Sequence, residues 1–82
     1  MIIRYFAWLK NITNLEEEVI VNKTIIDVET LKKFLLKKYP KLDKFMNQDD
    51  VVRVAINLEY TTSNDKINPN DEIALFPPVS GG

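Results

Sequence analysis

The first hydrophobic run of the chain alternates along its length, which is the pattern of a β-strand with two different faces. Ile2–Trp8 is rich in β-branched and aromatic residues and predicts the first strand. One face carries Ile3, Tyr5 and Ala7, and the other carries Ile2, Arg4, Phe6 and Trp8. Turn-forming residues follow at Asn11–Asn14, and Glu18–Asn22 predicts a second strand. The segment therefore predicts an amino-terminal hairpin with a long loop.

The middle of the chain changes to a helical period. Apolar residues recur three or four positions apart at Val28, Leu31, Leu35 and Tyr39. Asp27 precedes the run as a candidate N-cap, because its carboxylate can accept hydrogen bonds from the free amides of a first turn. Pro40 disfavours a helical conformation at the residue before it. We therefore predict one main helix over residues 28–39.

The connection after the helix is polar, but three apolar residues within it indicate that it packs on the core. These are Leu42, Phe45 and Met46. The pattern does not predict the form of residues 40–51.

Two further strands and a short return complete the pattern. Val51–Asn57 predicts a third strand, Leu58–Tyr60 a short fourth, and Glu72–Phe76 the last, which follows the turn sequence Asn68–Asp71. Strands before and after a single helix predict an α+β fold with a mixed sheet of four to five strands and the helix across one face. This is the β-grasp, or ubiquitin-like, architecture. We expect one domain over residues 1–76 and a flexible tail over 77–82.

Composition excludes most catalytic classes. The 82 residues contain no cysteine and no histidine, so disulfides, thiolate nucleophiles, imidazole bases and the usual zinc ligands are absent. No nucleophile, base and stabiliser can be assembled from the remaining residues. We expect no metal site, no bound cofactor and no independent enzyme.

Charge gives no general attraction to nucleic acid or membranes. Eleven basic and twelve acidic residues leave a formal charge of −1. Arg4 interrupts the amino-terminal run early, so we expect no signal peptide or spanning helix and a cytoplasmic protein. Six lysines make the helix and its exit basic, and we interpret them as a solvated face: Lys32, Lys33, Lys37, Lys38, Lys41 and Lys44. Five acidic residues are likewise interpreted as solvation rather than a metal site: Glu16, Glu17, Glu18, Asp49 and Asp50.

The last seven residues, Phe76-Pro77-Pro78-Val79-Ser80-Gly81-Gly82, carry the most informative motif. Pro77 and Pro78 cannot donate to a sheet ladder and hold the backbone extended, so this segment should project from the domain. Six residues reach roughly 20 Å at full extension. Gly81 and Gly82 lack side chains that would block a narrow channel or hinder attack at the terminal carbonyl. Two interpretations follow from the motif: a frayed end, which is the common role of glycines at a terminus, or a reactive Gly82 carboxylate that an extended arm could carry into another protein's active site.

The segment 68–82 resembles the end of the MoaD-type small subunit of molybdopterin synthase, in the ubiquitin-like MoaD/ThiS superfamily. Tyr5–Ala7 and Val54–Asn57 resemble the same family, so the similarity spans nearly the whole domain. The resemblance implies that a MoeB-type adenylating enzyme uses ATP and magnesium to activate Gly82. A sulfur donor then converts the acyl-adenylate to a thiocarboxylate.

The resemblance also implies the acceptor and the partners. The loaded tail, from Pro77 to Gly82, would enter the MoaE-type large subunit and give its sulfur to a pyranopterin precursor during molybdenum cofactor biosynthesis. The family assembles as two small and two large subunits. On the predicted faces, Phe6 and Phe76 lie together beside the root of the tail, as ordinary packing or as a partner surface. The resemblance favours the surface and assigns Phe6, Tyr60 and Phe76 to it.

Three other functions remain open from the sequence. A related carrier could feed thiamine or transfer-RNA thiolation with the same chemistry at Gly82. A protein modifier would instead be joined through Gly82 to lysines of its targets. A plain β-grasp interaction domain would have an inert tail.

Overall fold

The computed structural model describes residues 1–61 and 63–78, and these contain one mixed sheet of five strands. The strands are β1 (Ile2–Tyr5), β2 (Glu17–Val19), β3 (Arg53–Ile56), β4 (Glu59–Tyr60) and β5 (Glu72–Phe76). Their order across the sheet is β2-β1-β5-β3-β4. β1 and β5 are parallel, and the other neighbouring strands are antiparallel. The predicted α+β class is confirmed.

Two α-helices accompany the sheet, a short α1 (Leu9–Thr13) and the predicted main helix α2 (Val28–Lys38). Asp27 is the N-cap, as predicted: its Oδ1 accepts from the Thr30 amide at 2.8 Å, while Thr30 Oγ1 accepts from the Asp27 amide at 3.1 Å. This capping box satisfies amides that the helix itself leaves without partners. The helix ends one residue earlier than predicted, because Tyr39 has already left the helical region before Pro40.

The core lies between α2 and one face of the sheet. Its strand residues alternate, as the period of two requires, and its helix residues follow the predicted stripe. The largest fully buried side chains are Tyr5, Ile3, Leu9, Leu31, Leu35, Leu42, Ile73 and Leu75. Burying each of the leucine and isoleucine side chains stabilises the fold by about 1.5–3 kcal/mol.

The first strand is shorter than predicted. It ends at Tyr5, because Ala7 adopts a left-handed conformation, with φ of 54°, that turns the chain out of the sheet. The chain then forms α1, which ends at a left-handed Asn14, so the predicted turn at Asn11–Asn14 is mostly helical. Trp8 consequently leaves the face of Phe6 and packs on Phe45, with ring centroids 4.7 Å apart.

Residues 40–51 pack on the core, as expected, in a form that the sequence pattern did not predict. A 3₁₀ turn at Pro40–Leu42 precedes a π-helical turn at Lys44–Gln48. Leu42 and Met46 are buried, and Phe45 is half-buried. Both turns direct their apolar side chains inward and leave the polar ones in solvent.

Glu18 on β2 is the side chain for which the interpretation as simple solvation was wrong. Its carboxylate accepts hydrogen bonds from the Tyr5 hydroxyl at 2.7 Å, the Tyr39 hydroxyl and the Lys38 ammonium group. Its side chain is only 10% exposed. Burial raises the pKa of Glu18, but the hydrogen bonds from Lys38, Tyr39 and Tyr5 outweigh burial and lower it. Glu18 thus ties two strands to the end of α2.

Replacing Glu18 with Gln should lower the free energy of unfolding by roughly 1–3 kcal/mol, because a charged acceptor of three donors becomes neutral. A depressed folded-state pKa stabilises the protein above the ordinary carboxyl pKa, and this contribution is lost as the pH falls through the folded value. The E18Q variant should therefore lose less stability than the wild type between neutral pH and pH values below about 4. Urea unfolding at several pH values measures both effects.

The matched control is Glu17→Gln on the same strand, where the side chain is exposed. This substitution should change the free energy of unfolding by less than about 0.5 kcal/mol. Equal losses in the two variants would contradict the role assigned to Glu18.

Candidate functional site

The candidate site begins where β5 leaves the centre of the sheet. β5 pairs with β1 on one side and β3 on the other, and Leu75 is the register partner of both Tyr5 and Val54. The strand ends at Phe76, as predicted, because Pro77 and Pro78 have no amide hydrogen with which to continue the ladder. Pro77 is half-buried and Pro78 is exposed. The chain therefore leaves the sheet at the carboxyl end of its central strand.

The rest of the predicted tail lies outside the described residues. These positions are Val79, Ser80, Gly81 and Gly82. Their assignment as the segment that enters a partner, with Gly82 as the reactive residue, stays a prediction.

Three aromatic residues surround the root of the tail, and we call Phe6, Tyr60 and Phe76 the aromatic rim. The Phe6 amide donates to the Leu75 carbonyl at 3.0 Å, which continues the β1–β5 pairing and brings the Phe6 backbone beside Phe76. The rings of Tyr60 and Phe76 contact each other, with centroids 5.5 Å apart and planes at 49°. Such tilted pairs are favourable aromatic contacts. The structure thus brings all three predicted residues to the same region.

The aromatic rim is accessible to solvent. Phe6 is 47% exposed and Tyr60 is 76% exposed, while Phe76 is half-buried. Large apolar side chains grouped at the surface are typical of contact sites for other proteins. Their exposure fits a contact surface better than it fits core packing.

Two alanines lie side by side in the middle of the face that carries the aromatic rim. Ala55 and Ala74 are register partners on β3 and β5, and Tyr60 lies opposite Ala55 on β4. The sequence analysis did not assign these alanines to the site. A small residue between bulky ones in a predicted strand could have indicated them. Without bulk at its centre, this face can admit an apolar side chain of a partner.

Two arginines lie on this face beside the alanines and the aromatic rim: Arg4 is the register partner of Ala74, and Arg53 is that of Phe76. Arg4 Nε lies 2.9 Å from Glu72 Oε1, and Arg53 Nη1 donates to the Asp50 carbonyl at 2.8 Å. Both arginines are about half-exposed, so these contacts add little to stability. The face therefore combines aromatic and small apolar residues with two arginines that are each paired with an acidic residue.

Within residues 1–61 and 63–78, no group of three or more acidic side chains is placed to hold a metal ion. In that same part of the chain, neither helix has the length and apolar character needed to cross a membrane.

Comparison with known proteins finds a matching family and named relatives. The ThiS family model matches residues 3–82. The molybdopterin synthase sulfur carrier subunit of Homo sapiens is 35% identical over 81 residues, covering 95% of this chain and 89% of its own length. That of Caenorhabditis briggsae is 31% identical over 80 residues, covering 95% of this chain and 92% of its own length.

A solved structure confirms the predicted β-grasp fold. SAMP1 of Haloferax volcanii, a small archaeal modifier protein, superposes with a TM-score of 0.79 at 27% identity, covering 99% of this chain and 97% of its own. The sequence relatives and the fold point to the same group of proteins. The chain therefore belongs to the ThiS family, within the ubiquitin-like MoaD/ThiS fold.

Proposed function

We propose that this chain is the sulfur carrier subunit of a molybdopterin synthase. The observation that supports this most strongly is that the family match extends through residue 82 and so includes the Gly-Gly motif as well as the domain. The two relatives named above are sulfur carrier subunits of molybdopterin synthase, and most of their length is matched. The aromatic rim beside the root of the tail supplies a surface on which a larger partner subunit can dock.

The proposed chemistry takes place at the Gly82 carboxylate. An adenylating partner transfers AMP from ATP to this carboxylate and releases pyrophosphate, with magnesium bound by that partner. A sulfur donor of the persulfide class then attacks the acyl carbon, and AMP leaves with the bonding electrons. A thiol then cleaves the resulting acyl disulfide reductively. This leaves the thiocarboxylate on Gly82 and forms a new disulfide between the donor and the thiol.

The domain's part in this chemistry is to present the tail. β5 is fixed on both sides, so Pro77 starts from a defined point beside the aromatic rim. The tail then enters the large subunit, where the thiocarboxylate sulfur passes to the pyranopterin precursor. Two such transfers form the dithiolene, in an assembly of two small and two large subunits.

Incubation with ATP, magnesium, the adenylating enzyme, a persulfide donor and a reducing thiol should increase the intact mass by the difference between sulfur and oxygen. Mass spectrometry measures the shift, and the fragment containing Gly82 should carry it. A variant lacking Gly82 should show no shift, although its domain should unfold at the same temperature as the wild type. No shift in the wild type, with an enzyme shown to be active on another carrier, would overturn the proposal.

Phe6→Ala should weaken binding to the large subunit roughly fivefold or more, because truncating a side chain that is important to an interface costs more than about 1 kcal/mol. Phe6 is 47% exposed, so the cost to folding should be much smaller than for a core phenylalanine. Titration calorimetry with the large subunit and urea unfolding separate the two effects. Phe76→Ala should act in the same direction, with a larger loss of stability because its ring is half-buried.

Leu58→Ala is the matched control for this experiment. Leu58 is 91% exposed and lies beyond the end of β3 that is farther from the tail. Its substitution should leave binding unchanged. If Phe6→Ala lost binding only in proportion to its loss of folded protein, the aromatic rim would be a packing feature rather than an interface.

A second candidate function is protein modification, which the similarity to the small archaeal modifier protein favours. The same activated Gly82 would then be attacked by a lysine amine, giving an isopeptide bond with loss of AMP. Digestion of cell proteins and mass spectrometry would detect lysines that carry the carboxyl-terminal fragment. Such conjugates support the modifier function, whereas sulfur transfer to the pyranopterin precursor by purified proteins supports the carrier function.

A further inference from the structure

The outer edge of β2 is a surface that the proposed function does not use. β2 stands at one end of the sheet, with β1 on its inner side and no strand of the described residues on its outer side. The strand is followed by Ile20, which still exchanges backbone hydrogen bonds with Met1, and by a turn in which the Ile25 amide donates to the Asn22 carbonyl. We call residues 17–23 the β2 edge.

The pairing with β1 determines which backbone groups of the β2 edge are free. Tyr5 donates to the Glu16 carbonyl at 2.8 Å, and Ile20 donates to the Met1 carbonyl at 2.9 Å. Hydrogen-bonded pairs alternate with non-hydrogen-bonded pairs in an antiparallel ladder, so Glu17 and Val19 direct their amides and carbonyls away from β1. An unpaired row of this kind is a template for another strand.

The side chains of the β2 edge are apolar at its centre. Val19 is 70% exposed and Val21 is 91% exposed. They are separated by Ile20, which is buried in the core, so the two valines share the opposite face of the sheet. Exposed valines beside unpaired amides are the combination that edge strands of monomers normally avoid.

The charges of the β2 edge are opposite at its two ends. Glu17 begins the strand, and Lys23 stands at the turn that follows Val21. Neither residue forms an ion pair with any other residue in the described ranges. From its first residue to its last, the β2 edge is therefore acidic, then apolar, then basic.

We propose that the β2 edge binds the β2 edge of a second copy of this chain. In an antiparallel, two-fold arrangement centred on Val19, the two valines lie opposite each other and Glu17 of each copy lies opposite Val21 of the other. Lys23 stands at the turn just beyond Val21, so it lies near Glu17 of the other copy, within reach of a long side chain. An antiparallel partner with the same sequence therefore matches this edge in hydrogen bonding, apolar contact and charge.

The result is a continuous ten-stranded sheet across two copies, with the β5 strands antiparallel and the two tails leaving from opposite ends. A contact formed by one short strand from each copy buries less than about 1,200 Å² and belongs among weak interfaces. We expect a dissociation constant of about 0.1–1 mM at low salt. Because the contact does not involve the tail, its failure would leave the proposed function unaffected.

Sedimentation equilibrium of the purified full chain, from about 10 μM to a few mM, measures the association. Val19→Lys should weaken it at least roughly tenfold, because two like charges then meet at the centre of the pairing. Leu58→Lys is the matched control: it places the same charge on a residue that is 91% exposed near the opposite edge, and it should have no effect.

Exchange of the two charges tests the register. Glu17→Lys and Lys23→Glu should each weaken the dimer, and the double variant should restore at least half of the lost association free energy. Amide exchange should slow at Val19 and Val21 as the protein concentration rises. A chain that stays monomeric at a few mM, or a dimer that Val19→Lys does not weaken, would overturn the proposal. A double variant weaker than both single variants would also overturn it.

Discussion

The parallel pairing of β1 and β5 is the constraint on which the rest of the molecule depends. It joins the first strand to the last and makes β5 the central strand, with β3 on its other side. The same register sets Phe6 beside Phe76 and starts the tail at a fixed point. α2 lies in the long connection between β2 and β3. Its apolar stripe covers the face of the sheet to which β1 and β5 contribute their buried side chains. Core and candidate site therefore follow from one long-range contact.

The parts of the fold that could be predicted are determined by residues close to one another in the sequence. Asp27 and Pro40 limit α2 from either side, and the turn before Glu72 fixes the start of β5. The candidate site was predictable for the same reason, since two prolines end a strand and alternation alone separates Phe76 from the core. Alternation could not predict the contact of Tyr60 with Phe76, because that contact depends on the register of three strands.

The parts that could not be predicted depend on long-range contacts or on unusual backbone geometry. Ala7 gives no sign in the sequence that it turns left-handed, so an alternating pattern that continues to Trp8 predicts a longer strand than the protein has. Glu18 stands among acidic neighbours that are exposed, and only the approach of Tyr5, Lys38 and Tyr39 makes it a structural residue. Glu16, Glu17 and Glu18 are identical and consecutive, but of these three only Glu18 contacts the end of α2 and so has a structural role.

The arrangement of β1 and β5 also determines how the domain responds to force. A partner that holds the domain near Met1 and draws the tail outward pulls two parallel neighbouring strands in opposite directions. All hydrogen bonds between them are then loaded together in shear, rather than broken one after another as at a peeling hairpin. β3 adds a second ladder on the other side of β5. The tail is thus attached to a strand that hydrogen-bond ladders hold on both sides.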